Sequence, residues 1–352
     1  VKRYYFGILA LVVTNLLLGQ TSENYIFNKN EVIIPKNISV AQDVSVFKGE
    51  IPENKIAVST RILGKIQEKQ NTLSFIPVVP FGWNQKYTVV YNHTINYFSL
   101  PVPKGYESLK ILKVYPSTSR IPSNILKWYV KFSRPINENN IYKYIQFVDE
   151  SDKPIDRTIL PLQNALISKD GTLLTIWIEP GRQKRNLIPN RQLGSVFIPQ
   201  KKYRLVISEE IKDHNGVNMV KNFSKEFTTT VADRNKPNIN NWEIKIPNIH
   251  SVSNLLINCE EPIDYGSSIG NIKILDSAGQ LIDGIWELKK DETVVSFIPK
   301  RNWKKGKYTI IFGPSIEDLA GNNLDHLFDN EIQKTSKNNH PYKTYTLEFE
   351  LK

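Results

Sequence analysis

The stretch Thr293-Val-Val-Ser-Phe-Ile-Pro299, followed by Trp303 and closed by Lys307-Tyr308-Thr-Ile-Ile-Phe312, decides the fold. Apolar and polar residues alternate along it, which sets one face of an extended chain against a core and the other against water. The same arrangement stands earlier as Thr72-Leu-Ser-Phe-Ile-Pro77, Trp83 and Lys86-Tyr87-Thr-Val-Val-Tyr91. It stands again in the middle of the chain as Thr175-Ile-Trp-Ile-Glu-Pro180 and Lys202-Tyr203-Arg-Leu-Val-Ile207. Three copies of one pattern make the chain a tandem repeat.

The second and third copies match further. Phe132-Ser-Arg-Pro135-Ile136 pairs with Cys259-Glu-Glu-Pro262-Ile263, and Ile145-Gln-Phe147 with Ile272-Lys-Ile274, both at an offset of 127. The offset drops to 119 at Pro180 and Pro299, and to 105 at Tyr203 and Tyr308. The second copy therefore holds 14 additional residues between Pro180 and Tyr203. Short alternating runs broken by Pro, Gly, Asn and Asp, with no long helical periodicity, predict an all-β chain. The expected architecture is three tandem Ig-like β-sandwiches after an N-terminal signal peptide: 1–20, then 21–104, 105–231 with an inserted basic loop at 181–200, and 232–352. The polar, Pro-rich stretches 101–105 and 231–237 are the expected joints.

These residues resemble the bacterial Ig-like domain of the SbsA type, found in S-layer and other cell-envelope proteins. The likeness is carried by Phe132-Ser-Arg-Pro135-Ile136, the Phe-x-Pro strand, the Lys-Tyr strand and the closing Ile316-Glu-Asp318-Leu-Ala-Gly321-Asn322. Val114 to Trp128 and Glu179 to Arg185 are similar to secreted proteins of Bacteroidetes-like bacteria. The first unit fits less well, because it lacks the Asp-x-x-Gly turn. The resemblance implies a fold and an envelope location, and it brings no catalytic residues. In such sandwiches a Tyr at the start of the penultimate strand pins a corner to the backbone, the role expected of Tyr87, Tyr203 and Tyr308.

Lys2 and Arg3 precede an apolar run from Phe6 to Leu18, too short for the roughly 20 residues that span a bilayer. That pattern reads as a secretory signal, cleaved near Gln20. No later segment is a transmembrane candidate. The single Cys, Cys259, excludes an intrachain disulfide and every Cys-rich metal framework, and its strand-like surroundings predict a buried thiol.

The five His residues fall in no metal-protease spacing. Gly266-Ser267-Ser268-Ile269-Gly270 fits Gly-x-Ser-x-Gly on paper, but the motif requires a helix after the Ser, and Ile272-Lys-Ile-Leu alternates like a strand. Glu260, Glu261 and Asp264 read as a solvated strand edge, since the sister unit holds Ser133, Arg134 and Asn137 there. Asp318, Asn322, Asp325 and Asp329 offer oxygens, but their spacing fits no calcium loop. No catalytic residue, cofactor or metal ligand is expected.

Charge is the informative polar feature. Lys plus Arg is 46 against 35 Asp plus Glu, a net +11. Seven cations and no acid lie between Pro180 and Ser208. Arg182, Lys184, Arg185, Arg191, Lys201 and Lys202 form the candidate polyanion site, with Leu187 and Ile188 tucked against the sandwich to hold the loop. The third copy carries Lys300, Arg301, Lys304, Lys305 and Lys307 in the equivalent segment, again without an acid. Nucleic acid is a poor partner for an exported protein, so acidic polysaccharide or another envelope component is the expected one. The function read from the residues is a secreted, non-catalytic Ig-like protein of the cell envelope, structural or adhesive. The alternative is an enzyme, or an accessory subunit of one, acting on envelope polysaccharide.

Overall fold

The computed structural model describes residues 25–36, 43–329 and 344–352. The apolar run 6–18 and the expected cleavage point lie outside them. The chain is all-β. In its first third stand β1 (Ile26–Phe27), β2 (Val32–Pro35), β3 (Val44–Lys48), the one-turn α1 (Glu53–Ile56), β4 (Gly64–Glu68), β5 (Thr72–Pro77), β6 (Lys86–Tyr91) and β7 (Thr94–Ser99). They form two antiparallel sheets, β1-β2-β5-β4 and β3-β6-β7. Val32, Ile34 and Phe75 from one sheet meet Val46, Tyr87 and Phe98 from the other in a single core.

The middle third contains β8 (Ile111–Tyr115), β9 (Arg120–Pro122), β10 (Lys127–Phe132), β11 (Ile145–Val148), β12 (Leu166–Ile167) and β13 (Leu173–Trp177). Two short helices, α2 (Pro180–Gln183) and α3 (Ile188–Leu193), precede β14 (Lys202–Ile207) and β15 (Phe223–Thr230). The sheets are β12-β13-β10-β8 and β11-β14-β15-β9, the last pair being parallel. The final third holds β16 (Glu243–Lys245), β17 (Leu255–Asn258), α4 (Tyr265–Ser268), β18 (Ile272–Asp276), β19 (Gly284–Lys289), β20 (Val294–Pro299), β21 (Gly306–Phe312) and β22 (Tyr345–Leu351). Its sheets are β16-β17-β20-β19 and β18-β21-β22. Among the described residues, six sheets thus enclose three hydrophobic cores.

The repeats land where their pattern requires. The Phe-Ile-Pro strands β5 and β20 and their counterpart β13 each lie between two antiparallel partners of one sheet. The Lys-Tyr strands β6, β14 and β21 occupy the same place in the opposite sheet. Each Tyr turns its hydroxyl back to the chain just before its own strand. Tyr87 accepts from Gly82 N–H (2.7 Å) and Tyr203 from Ile198 N–H (2.9 Å). Tyr308 accepts from Lys304 N–H (3.2 Å) and donates to Lys304 C=O (2.9 Å). Burial raises the affinity of the Tyr87 hydroxyl for its proton. Gly64 and Gly284, first residues of β4 and β19, lie against the rings of Phe75 and Phe297. A Cβ there would come within 2.5 Å and 2.4 Å of the respective Cζ, so neither position has room for a side chain.

Two compact units result. One holds the described residues up to Ser108 together with Lys212–Val217, and the other holds Leu109–Ile211 and the described residues from Asn218 onward. The Asp213-His-Asn-Gly216 turn, inside the bounds 105–231 expected for the second sandwich, belongs to the first unit: Asn215 C=O accepts from Trp83 N–H at 2.5 Å. The stretch 231–237, expected as a joint, falls inside the second unit.

Candidate functional site: the basic loop and the junction beside it

The loop between β13 and β14 is organised around Arg182. Glu179 Oε1 accepts from Gly181 N–H (3.0 Å) and starts α2, while Pro189 lies in the first turn of α3. Arg182 is 6% exposed. It donates to Gly194 C=O (3.0 Å), Asp156 C=O (2.6 Å), Ser195 C=O (3.0 Å) and Leu193 C=O (3.3 Å). Its planar fork is therefore spent on backbone carbonyls of its own loop and of the turn at Asp156, and burial lowers its pKa. This corrects the sequence-based placement of Arg182 in a polyanion site.

The other five cations do not converge. Lys184 Nζ sits 4.5 Å from the centre of the Phe328 ring. Arg185 holds Asp329 through its backbone N–H (2.9 Å) and its Nε (2.6 Å). Arg191 and Lys201 are exposed, and the exposed Lys202 borders Asp149, Glu150 and Glu226 in a mixed-charge groove. The apolar anchors also differ from expectation. Leu187 and Ile188 are 37% and 69% exposed, whereas Val196 and Phe197 enter the core, Phe197 packing against Phe147, Tyr203 and Phe227.

Arg185 and Lys184 in fact reach toward the last third of the chain, and they are two contacts of a longer junction inside the second unit. Lys127 on β10, 9% exposed, forms ion pairs with Glu317 and, at 3.6 Å, with Asp264. Tyr129, on the same strand, donates to Asp264 Oδ1 (3.0 Å), and the buried hydroxyl beside that carboxylate is driven far above the usual tyrosine range. Tyr115 stacks on Tyr265 with centroids 3.9 Å apart. Gly266 permits the approach, since a Cβ there would lie 2.4 Å from Tyr129 Oη. Ser117 gives its N–H and its hydroxyl to the buried Glu292 (2.7 and 2.6 Å). Leu126 N–H bonds to Leu319 C=O (2.9 Å), and Asn124 and Asp233 exchange two bonds of 2.7 and 2.8 Å. The solvated edge expected at Asp264 is thus a buried contact: Asp264 is 3% exposed.

One carboxylate group remains. Asp233, Glu261 and Asp318 bring oxygens within 4.8 Å of one another, the arrangement among the described residues able to present three ligand atoms to a cation. Burial, then the neighbouring carboxylates, raises Glu261 to about 8; burial raises Asp318 to about 7 despite its bonds from Asn322 and Ala320. The calcium set weighed from sequence is dispersed: Asp325 takes the Tyr345 hydroxyl, and Asp329 takes Arg185. The Gly-x-Ser-x-Gly serines are structural. Asp264 caps α4 through Ser267 N–H (2.8 Å), and Ser268 Oγ donates to Asp264 C=O (2.6 Å). Cys259 is buried, and burial raises its thiol to about 12.

No family model matches this chain, and no curated protein matches it. Solved structures that resemble it include Escherichia coli alpha-2-macroglobulin spanning domains MG0-NIE-MG1, at 11% identity over 70% of this chain and 72% of that one, TM-score 0.24. The N-terminal part of the bacterial S-layer protein SbsC is 15% identical over 58% of this chain and 40% of its own, TM-score 0.24. Tandem titin domains are 12% identical over 86% and 92%, TM-score 0.21.

Proposed function

We propose that this chain is a non-catalytic structural or adhesive protein of the cell envelope, built of three tandem Ig-like sandwiches. The junction in the second unit carries the reading. Buried ion pairs, a tyrosine stack and backbone bonds hold two successive sandwiches as one body, which suits a part that spaces or bears load. The serine of the Gly-x-Ser-x-Gly match has architectural work in the fold: Ser268 Oγ donates to the carbonyl of Asp264, whose carboxylate caps α4 and receives Tyr129. No helix among the described residues is long and apolar enough to cross a membrane. Export rests on the basic start and the short apolar run 6–18. Antibody labelling of fractionated source cells tests the reading. Label in the envelope fraction supports it, and label confined to the cytosol overturns it.

The second reading, an enzyme or accessory subunit acting on envelope polysaccharide, has one feature behind it. Asp233, Glu261 and Asp318 border a cleft of about 320 Å³, and two carboxyls of raised proton affinity can serve acid–base chemistry. Sugar release from envelope polysaccharide that Glu261→Gln abolishes would establish it.

A further inference from the structure

The segment before β21 repeats the basic character of the loop before β14 without its internal commitments. Here Lys300, Arg301, Lys304, Lys305 and Lys307 border a cleft of about 640 Å³, within the usual range for ligand sites. Only two acids share it, and both are engaged. Asp276 Oδ1 accepts from Ala278 N–H (2.9 Å) and Gln280 N–H (2.8 Å), and Asp283 Oδ2 pairs with Lys300 Nζ at 2.7 Å. Arg301, Lys304, Lys305 and Lys307 are exposed, and no ion pair of theirs is found among the described residues. In the first third, the corresponding Lys86 is taken up by Glu50 at 3.0 Å.

The floor of the cleft is rigid. Trp303 is 2% exposed; its indole donates to Ser253 C=O (2.8 Å), and its backbone N–H to Ser251 C=O (2.9 Å). Tyr308 meets it edge-on at 5.3 Å and fixes both backbone groups of Lys304. The cations therefore leave a pinned stretch of chain, so less backbone order is lost when an anion is bound. On the opposite wall, between the two engaged acids, Gln280 and Ser277 offer hydrogen-bonding groups, and Leu281 is 61% exposed.

We propose that this cleft binds an acidic polysaccharide, the cations taking its carboxylate or sulfate groups, Gln280, Ser277 and Asn302 its hydroxyls, and Leu281 a sugar face. An open groove of mixed polar and apolar walls with spaced charges fits a sugar chain better than a single compact anion. The inference goes beyond the envelope reading, which stands on the junction and survives if the cleft fails.

The test is binding of the whole chain to immobilised polygalacturonate, dextran sulfate and neutral dextran, with duplex DNA as competitor. Polygalacturonate separates carboxylate from the sulfate arm. Binding to at least one acidic polysaccharide and not to dextran is expected, weakening as salt rises from about 0.05 to about 0.5 M. The triple change Arg301→Ala, Lys305→Ala, Lys307→Ala should lower affinity about tenfold, because exposed pairs each contribute little. Leu281→Glu, which places an anion in the same cleft, should lower it as well and covers a folding failure of the triple variant. Arg191→Ala, Lys201→Ala, Lys202→Ala together should leave it unchanged. The proposal is overturned if neither acidic polysaccharide binds, if the cleft variants bind like wild type, if the loop variant abolishes binding, or if DNA is preferred.

Discussion

Tyr203 shows how a single side chain sets a corner. Its ring is 6% exposed among Phe197 and Phe227, and its hydroxyl meets Ile198 N–H at the end of the basic loop. Tyr203→Phe keeps the ring and strands that N–H. The expected loss is about 0.5–1.5 kcal/mol, the net contribution of one hydrogen bond to a half-buried donor, read from denaturant midpoints at unchanged slope. An unchanged midpoint would show that water replaces the hydroxyl. Glycine 284 is decided at the same scale and by distance alone: Phe297 is 1% exposed and has nowhere to move when a methyl arrives. Gly284→Ala should cost about 1–3 kcal/mol, the usual penalty of overpacking, in the same assay.

At the scale of the element, the loop between β13 and β14 is folded by a cation instead of by apolar residues along its length. Five carbonyls 11 to 26 residues from Arg182 converge on its guanidinium, and Asn190 Nδ2 ties the Arg182 carbonyl to α3 (2.6 Å). Arg182→Lys supplies three donors in place of a planar fork and cannot reach all five acceptors. Both Arg182→Lys and Arg182→Ala should therefore speed amide exchange across 185–195, by about tenfold or more for the Ala form. The core strands β10 and β14 should keep their protection, because Val196 and Phe197 still anchor the loop's end. Protection lost equally in loop and core would mean that Arg182 supports the whole sandwich.

For the whole molecule, the junction in the second unit predicts a pH dependence. Glu261 and Asp318 hold protons in the fold at pH values where a free carboxyl has lost them. Between the ordinary carboxyl pKa near 4 and the raised values of about 8 and about 7, the folded state binds more protons than the unfolded one. Stability contributed by these groups is therefore complete at low pH and is lost as pH rises through the raised values. Limited proteolysis at pH about 5 should leave a fragment beginning near Leu109 intact through 231–237. Cleavage in that stretch should grow as pH approaches about 8, and Glu261→Gln should flatten the trend. Cleavage at 231–237 that is rapid at every pH would show that the segment is a free linker.

The repeated alternation in residues 72–91, 175–207 and 293–312 specified strands and the three tyrosine corners. Those features follow from a period of two and from partners within a few residues of one another, which a sequence displays directly. Charge use was invisible there. Lys127 meets Glu317 across 190 residues, Tyr129 meets Asp264 across 135, and Ser117 meets Glu292 across 175. No local pattern encodes such distances. Arg182 and Arg301 look alike as letters in two equivalent basic segments. Tertiary structure alone separated them, because the first is buried and its donors are taken by backbone carbonyls, while the second lies at a rim where its neighbours' acids already have other partners.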